Sequence, residues 1–127
     1  MARVVRFHAL GGPEVLQVEN VDVPPPGPGE VRIAVKALGL NRSEAMFRAG
    51  KYLEQPSFPS KLGYEAAGTI ESIGPNVTGF QVGDAVSTIP AFSQGQYGVY
   101  GELAVVPAAA VARHPESLGW TAAAAIW

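Results

Sequence analysis

Apolar and polar residues alternate over several short stretches of the chain, a pattern typical of strands that bury only one face. The clearest stretch, residues 30–40, puts four apolar side chains on one side: Val31, Ile33, Val35 and Ala37. Residues 2–8 are β-branched and alternate in part, and residues 16–23 alternate well if one bulge or phase shift lies near Asn20. The pattern therefore predicts three strands within the first 40 residues.

Further strands are predicted within residues 66–74 and 85–92, and one or two short ones within residues 102–115. The 15 glycines and 11 prolines of the chain imply many turns. The proline-rich residues 24–30 predict an extended loop, because proline cannot donate to a sheet. Residues 93–101, rich in glycine and tyrosine, are also predicted to form a loop.

Only two short helices are predicted. The first runs from Ser43 as N-cap to Gly50, with Met46 and Phe47 facing inward. The second starts with Thr121 as N-cap and continues through four alanines. Because long helices do not alternate with the strands and no G-x-G-x-x-G follows a strand, a parallel dinucleotide-binding fold is disfavoured. The pattern predicts a mainly β fold, either a small antiparallel barrel or a sandwich.

The composition limits the kinds of ligand and metal site that the chain can provide. The chain has 127 residues, enough for one domain, and its net charge of −2 gives no basic excess for binding nucleic acid. Cysteine is absent and the only histidines are His8 and His114, so a zinc site could use only these two and carboxylates. No apolar run approaches the roughly 18 residues of a membrane span, and no signal peptide is recognised. The cytoplasm is the default location.

The last ten residues, "LGWTAAAAIW", read as a helix that stops without a C-cap. Such an ending would expose Ile126 and Trp127. We therefore expect the chain to be the front part of a longer protein. The alternative is a helix that docks on the body of the domain and simply ends.

Three segments resemble the GroES-like catalytic domain of medium-chain dehydrogenases/reductases: "VDVPPPGPGEVRIAVKALGLNRSE", "LGYEAAGTIESIGPNVTGFQVGDAV" and "YGELAVVPAAAVARHPESLGWTAAAAIW". The likeness covers nearly the whole chain in the order that the family has it. It implies a GroES-like, partly open β-barrel with short helices over residues 1–127. It also implies a Rossmann domain after this chain, which would bind the nicotinamide cofactor.

The resemblance also bears on zinc. Zinc-dependent alcohol dehydrogenases of this family have a cysteine where this chain has Asn41 and a histidine where it has Tyr64. Amides and phenols are poor zinc ligands, so the pattern resembles the zinc-free quinone oxidoreductase branch and implies no metal. A label of zinc-type alcohol dehydrogenase would then be inherited from family membership. Glu65 is interpreted as structural, and Asp84 is predicted to bind backbone amides of its turn.

Three consecutive residues after the predicted third strand are candidates for the site. By resemblance, Asn41 lies near the nicotinamide and its ribose, as a catalytic and cofactor-binding donor that replaces the metal. Arg42 matches an arginine that contacts the cofactor pyrophosphate, and Ser43 aligns with a hydroxyl that relays a proton. The alternatives are a loop or cap role for Asn41, a solvated charge for Arg42 and a helix cap for Ser43.

Tyrosines supply the other candidates. Tyr52 resembles a tyrosine of the quinone reductases, and its phenol could donate to a substrate oxygen. Tyr64 and Tyr97 are assigned to the substrate pocket, and Tyr100 is a weaker candidate for the same role. For each of them the alternative is an ordinary packing role in a loop or in the core.

The resemblance implies a zinc-independent, NAD(P)H-dependent oxidoreductase that reduces quinones or α,β-unsaturated carbonyls by hydride transfer. NADPH is expected, with NADH possible, and the isolated fragment is expected to be inactive. Alternatives are a zinc-type alcohol dehydrogenase-like or enoyl reductase activity, and more remotely a GroES-like module without enzymatic activity. Small carbonyl or quinone substrates are the expected partners, with a homodimer for the longer protein.

Overall fold

The computed structural model describes all 127 residues, Met1–Trp127, and is built mainly from strands. Seven strands are present: β1 (Ala2–Phe7), β2 (Leu16–Val21), β3 (Glu30–Gly39), β4 (Glu65–Ile73), β5 (Ala85–Thr88), β6 (Leu103–Pro107) and β7 (Val111–Arg113). Three short helices accompany them: α1 (Arg42–Arg48), α2 (Gln94–Tyr97) and α3 (Trp120–Ala123). Single 3₁₀ turns form at Pro13–Val15 and Ala108–Ala110. The prediction of a mainly β fold is confirmed.

Five strands form one antiparallel sheet in the order β6-β3-β4-β5-β7, while β1 and β2 form a separate hairpin. Because β6 and β7 are the two edges of the sheet, the barrel stays open. Isolated bridges from Val4 to Gly101 and from Phe7 to Ser60 attach the hairpin to the rest. Register shifts of β3 against β4 occur between Arg32 and Ile33 and again later in β3, and such bulges increase the local twist of a strand.

The main core lies on one face of the sheet. Val31 and Ile33 of β3 are fully buried, as the alternation predicted, and they pack with inward residues of the neighbouring strands: Ile70, Val86 and Val106. A second cluster joins Phe7 of the hairpin, Phe47 of α1 and Leu62. This cluster fixes α1 against the hairpin, so the start of α1 is held in place beside the end of β3.

Several predicted details of the elements are wrong. The hairpin keeps one register from Ala2–Val21 to Phe7–Leu16, without the bulge expected near Asn20. Met46 is 40% exposed, because only one face of α1 meets the core. Residues 93–101 contain α2, where the Ser93 hydroxyl caps the helix by accepting from the Gln96 amide.

Both helix starts also differ from prediction. The N-cap of α1 is Asn41 rather than Ser43, and the N-cap of α3 is Gly119 rather than Thr121. Gly50 does follow the end of α1 with a φ of +76°, the left-handed conformation that glycine adopts most readily. None of the three helices is both long and apolar enough to cross a membrane.

Candidate functional site

The end of β3 and the beginning of β4 lie side by side, because Gly39 pairs with Glu65. A side chain at Gly39 would collide with the carbonyl oxygen of Ala124, which follows α3. The chain therefore passes close beneath α3 and turns at once into α1. Asn41, in extended conformation with φ −126° and ψ 151°, occupies this turn. Its side chain is placed next to the first residue of β4.

The amide of Asn41 is oriented by a buried carboxylate. Its Nδ2 donates to Oε2 of Glu65 at 2.8 Å, and Glu65 is only 5% exposed. Because Nδ2 carries only N–H donors, this contact fixes which end of the amide faces Glu65. Asn41 itself is exposed, and one N–H of Nδ2 is not used by Glu65. The site thus presents an oriented N–H donor at the surface.

A second buried carboxylate supports the backbone of Asn41. Glu44 is 3% exposed, and its Oε1 accepts from the Asn41 amide nitrogen and from the Tyr100 hydroxyl, each at 2.9 Å. Its Oε2 accepts from the Ser43 hydroxyl at 2.7 Å. Burial, and then the hydrogen bond to Glu44, raise the pKa of Tyr100. Three donors converge on this carboxylate, so it ties α1 to the segment before β6.

The neighbours of Asn41 have different environments. Ser43 lies within α1 and its hydroxyl donates to Glu44, so Ser43 is not the N-cap that was predicted. Arg42 is exposed and makes no ion pair. Its guanidinium donors are therefore accessible from solvent beside Asn41.

Tyr52 and Tyr64 are brought together, with 3.2 Å between their hydroxyl oxygens. The ring of Tyr52 meets Phe47 edge to face at 6.5 Å, and the ring of Tyr64 meets Phe92 at 5.8 Å. Burial, followed by the hydrogen bond to Tyr52, raises the pKa of Tyr64. The Tyr64 phenol therefore stays protonated at neutral pH, and each of the two hydroxyls can act as a hydrogen-bond donor in an otherwise aromatic setting.

Residues 27–116 match the family of alcohol dehydrogenase GroES-like domains, which is more than half of the chain. The chain belongs to this family. The quinone oxidoreductase of Pseudomonas aeruginosa is 40% identical over 126 residues, which are 99% of this chain and 37% of the relative. The human quinone oxidoreductase is 38% identical over 127 residues, again 99% of this chain and 37% of the relative.

A solved structure of Escherichia coli quinone oxidoreductase complexed with NADPH aligns with a TM-score of 0.87 and 33% identity, over 99% of this chain and 37% of that chain. The chain therefore spans about 37% of the length of the curated relatives and of this structure. The predictions of a GroES-like fold, and of a place beside the quinone oxidoreductases within the medium-chain dehydrogenase/reductase superfamily, are confirmed.

Tyr97 is the remaining residue that was predicted to line the substrate pocket of this GroES-like domain. Its hydroxyl is not directed toward Tyr52 and Tyr64. It donates to Oε2 of Glu30 at 2.8 Å, at the opposite end of β3 from Asn41. That hydrogen bond, more than burial, raises the pKa of Tyr97. Only its ring approaches the others, through Phe92 at 6.2 Å. Tyr97 can contribute an apolar surface near Tyr64 but not a hydroxyl beside it.

The donor set of the domain does not fit a zinc ion. No three His, Asp or Glu side chains lie together in an arrangement that could hold a metal. His8 is bonded to Glu19 in the hairpin, and His114 is bonded to Ser87 of β5. Glu65 faces the Asn41 amide, which presents a proton to it rather than a lone pair.

Glu65 and Glu44 have roles that the sequence did not reveal. Glu65 was interpreted as structural, and its carboxylate binds the Asn41 side chain. Glu44 was not singled out from the sequence, and it is buried. The spacing of Asn41 and Glu44 is a signal that could have been used, since an N-cap residue followed three positions later by Glu is typical of a capping box. Asp84, by contrast, accepts from the Gln81 amide at 2.8 Å, as predicted for its turn.

Proposed function

We propose that this domain is the substrate-binding part of a zinc-independent, NAD(P)H-dependent oxidoreductase that reduces quinones or α,β-unsaturated carbonyls. The observation that carries the proposal is the Asn41 amide, oriented by Glu65 Oε2 at 2.8 Å, at the end of β3. The similarity to quinone oxidoreductases of Pseudomonas aeruginosa and human supports the reaction class. The proposal applies to a longer protein with a Rossmann domain beyond this chain.

Asn41 is the electrophile in this proposal. Reduction of a quinone or an enone places negative charge on the acceptor oxygen as the hydride arrives. A donor already aimed at that oxygen stabilises the charge without reorganising. Glu65 holds one N–H of Asn41, and the other is available to the substrate. Glu44 fixes the backbone of the same residue through its amide nitrogen. Both carboxylates thus restrict how the amide can move.

The same residues support the proposal of zinc independence. A zinc ion polarises a carbonyl as a Lewis acid and needs nitrogen, sulfur or carboxylate ligands. The chain has no cysteine, and its imidazoles lie in the hairpin and beside β5. The amide donor of Asn41 therefore takes over the task of polarising the substrate oxygen.

NADPH is the proposed cofactor, with NADH as the alternative, and when bound it would supply the hydride. The Escherichia coli relative was solved in complex with NADPH. Arg42 fits a phosphate group, because its guanidinium is exposed, has no carboxylate partner and can bind an anion in a bidentate manner. We assign Asn41, Arg42 and Ser43 to cofactor binding, with Ser43 acting through its bond to Glu44.

The tyrosines are assigned to substrate binding. Tyr52 is the second proposed catalytic group, since a neutral phenol can donate to a carbonyl or quinone oxygen. The rings of Tyr64 and Tyr97 both contact the ring of Phe92, with centroid distances of 5.8 and 6.2 Å. We assign these rings to the pocket wall, where flat aromatic surfaces suit a planar acceptor.

The test is a substrate survey with the longer protein that carries this domain. We expect NADPH oxidation with quinones and enones, slower turnover with NADH, and no oxidation of simple alcohols. Chelator treatment should leave the rate unchanged, and metal analysis should find no stoichiometric zinc. Turnover with enoyl thioesters alone would instead identify an enoyl reductase, and a tightly bound zinc would refute the proposed mechanism. Sedimentation of the same preparation tests the expected homodimer.

A further inference from the structure

A polar cavity lies between two segments that also carry aromatic rings of the proposed substrate site. Its volume is about 270 Å³, and none of the residues that line it is hydrophobic: Glu54, Gln55, Ser57, Ser93, Gly95 and Gln96. Glu54 follows Tyr52 by two positions, and Ser93 directly follows Phe92, whose ring contacts that of Tyr64 at 5.8 Å. The segments that hold the aromatic rings therefore also form a cavity that offers only polar contacts.

Glu54 joins the two segments. The Ser93 hydroxyl donates to its Oε2. Gly95 leaves room for the carboxylate, because a Cβ at this position would lie 2.8 Å from Oε2. On the other segment, the Tyr52 carbonyl accepts from Gln55 Nε2 at 2.9 Å, which closes the turn that contains Glu54. These contacts hold the carboxylate in a defined position relative to Tyr52.

The carboxylate of Glu54 carries a negative charge that no cation compensates. It forms no ion pair, and its Oε1 has no hydrogen-bond partner. Lys61 also reaches α2, where its Nζ donates to the Gln96 carbonyl at 3.3 Å, but it lines a different cavity together with Arg6. Burial is the main cause of the raised pKa of Tyr64, and the charge of Glu54 adds to it. The polar cavity is therefore a region of negative potential.

We propose that Glu54 selects acceptors by charge: a quinone or enone that carries a hydroxyl or ammonium substituent is favoured, and one that carries a carboxylate or sulfonate is disfavoured. A hydroxyl or an ammonium group can donate to the free Oε1, and a bond between charged groups is the stronger one. An anionic substituent would be repelled at short range in a partly buried cavity. This inference rests on the proposed function and adds the class of substituent that the acceptor carries.

The test compares three acceptors in the longer protein: a naphthoquinone, its sulfonate and its trimethylammonium derivative, substituted at the same ring position. Glu54→Gln removes the charge, keeps the size of the side chain and can still accept from Ser93. Relative to the unsubstituted quinone, we expect kcat/KM for the sulfonate to rise about five-fold in the variant, and kcat/KM for the cation to fall about five-fold. The ratios between variant and wild type cancel the intrinsic reactivity of each quinone.

Glu116→Gln is the matched control, because it makes the same change in net charge at an exposed residue beside α3. It should leave both ratios unchanged. Raising the salt concentration to about 1 M should shrink the Glu54→Gln effect, since screening then limits charge interactions to about 3 Å. Equal ratios in the wild type and in Glu54→Gln, or the same shift in Glu116→Gln, would overturn the inference.

A binding measurement separates this inference from the proposed function. Equilibrium dialysis of the same three quinones gives their dissociation constants without turnover. Tighter binding of the sulfonate to Glu54→Gln than to the wild type, without reduction of any quinone, would refute only the proposed reaction. Equal affinities of the two proteins for the sulfonate would refute the selection by charge, even if all three quinones are reduced.

Discussion

A glutamate and a tyrosine form a hydrogen-bonded pair near each end of β3, but the two pairs lie in different surroundings. At its start, Glu30 accepts from the Gly27 amide at 2.9 Å and from the Tyr97 hydroxyl at 2.8 Å. Just beyond its end, Glu44 accepts from the Asn41 amide and from the Tyr100 hydroxyl, each at 2.9 Å. In both cases the carboxylate binds the backbone nitrogen three residues before it and one phenol.

Burial separates the two pairs. Glu30 is partly exposed, whereas Glu44 is 3% exposed and accepts a third hydrogen bond, from Ser43. Water can replace a lost partner at the first pair but not at the second. The same chemistry therefore closes an ordinary turn at one end of β3, and at the other end it makes the backbone of Asn41 depend on a single buried carboxylate.

The largest expected effect comes from removing each carboxylate in turn. Glu44→Ala leaves the three donors that converge on this buried carboxylate without their acceptor, so we expect it to lower the free energy of unfolding by about 4 kcal/mol. Glu30→Ala exposes its partners to water and should cost only about 1 kcal/mol. Urea unfolding monitored by tryptophan fluorescence measures both. Equal losses in the two variants would mean that the difference in burial has no energetic consequence.

We expect substitutions near the two ends of β3 to differ clearly in their effect on kcat. In the longer protein, Asn41→Ala removes the proposed donor, and we expect kcat for quinones or enones to fall about 100-fold, the usual loss for one such donor. Glu71→Gln is a suitable control, because Glu71 pairs with Arg32 in the first half of β3 and lies outside the proposed site. It should leave kcat unchanged. Unchanged turnover in Asn41→Ala would exclude Asn41 as the electrophile.

The two ends of β3 also differ in how far the sequence foretold them. The alternation of β3, the buried Val31 and Ile33, and the glycine after α1 were predicted correctly, because each depends on residues that are neighbours in the chain. The burial of Glu44 could not be predicted in that way. Its partner Tyr100 is 56 residues later, and only the folded chain brings the two together.

The same reasoning applies to the candidate site. The pattern identified Asn41, Tyr52 and Tyr64 as candidates, but not the buried carboxylate that orients the Asn41 amide. Glu65 is 24 residues from Asn41 in the chain. Local patterns identify candidate donors, whereas their orientation depends on tertiary contacts between distant segments.

The smallest expected effect concerns alkaline pH. Burial and the bond to Glu44 raise the pKa of Tyr100 in the folded state, while in the unfolded chain it ionises near its ordinary value of about 10. The folded state therefore holds this proton more tightly. The resulting stabilisation is complete below pH ~10 and is lost as the pH rises further, because the unfolded state ionises first.

Tyr100→Phe removes this contribution, so its urea midpoint should fall less between pH 9 and about 11 than the wild-type midpoint does. Tyr97→Phe is the comparison, because the pKa of Tyr97 is also raised but chiefly by its bond to the partly exposed Glu30. We expect Tyr97→Phe to change the pH dependence in the same direction but by less. A larger change in Tyr97→Phe would show that the hydrogen bond, rather than burial, sets the proton affinity of these phenols, and the difference between the two ends of β3 would then not extend to their tyrosines.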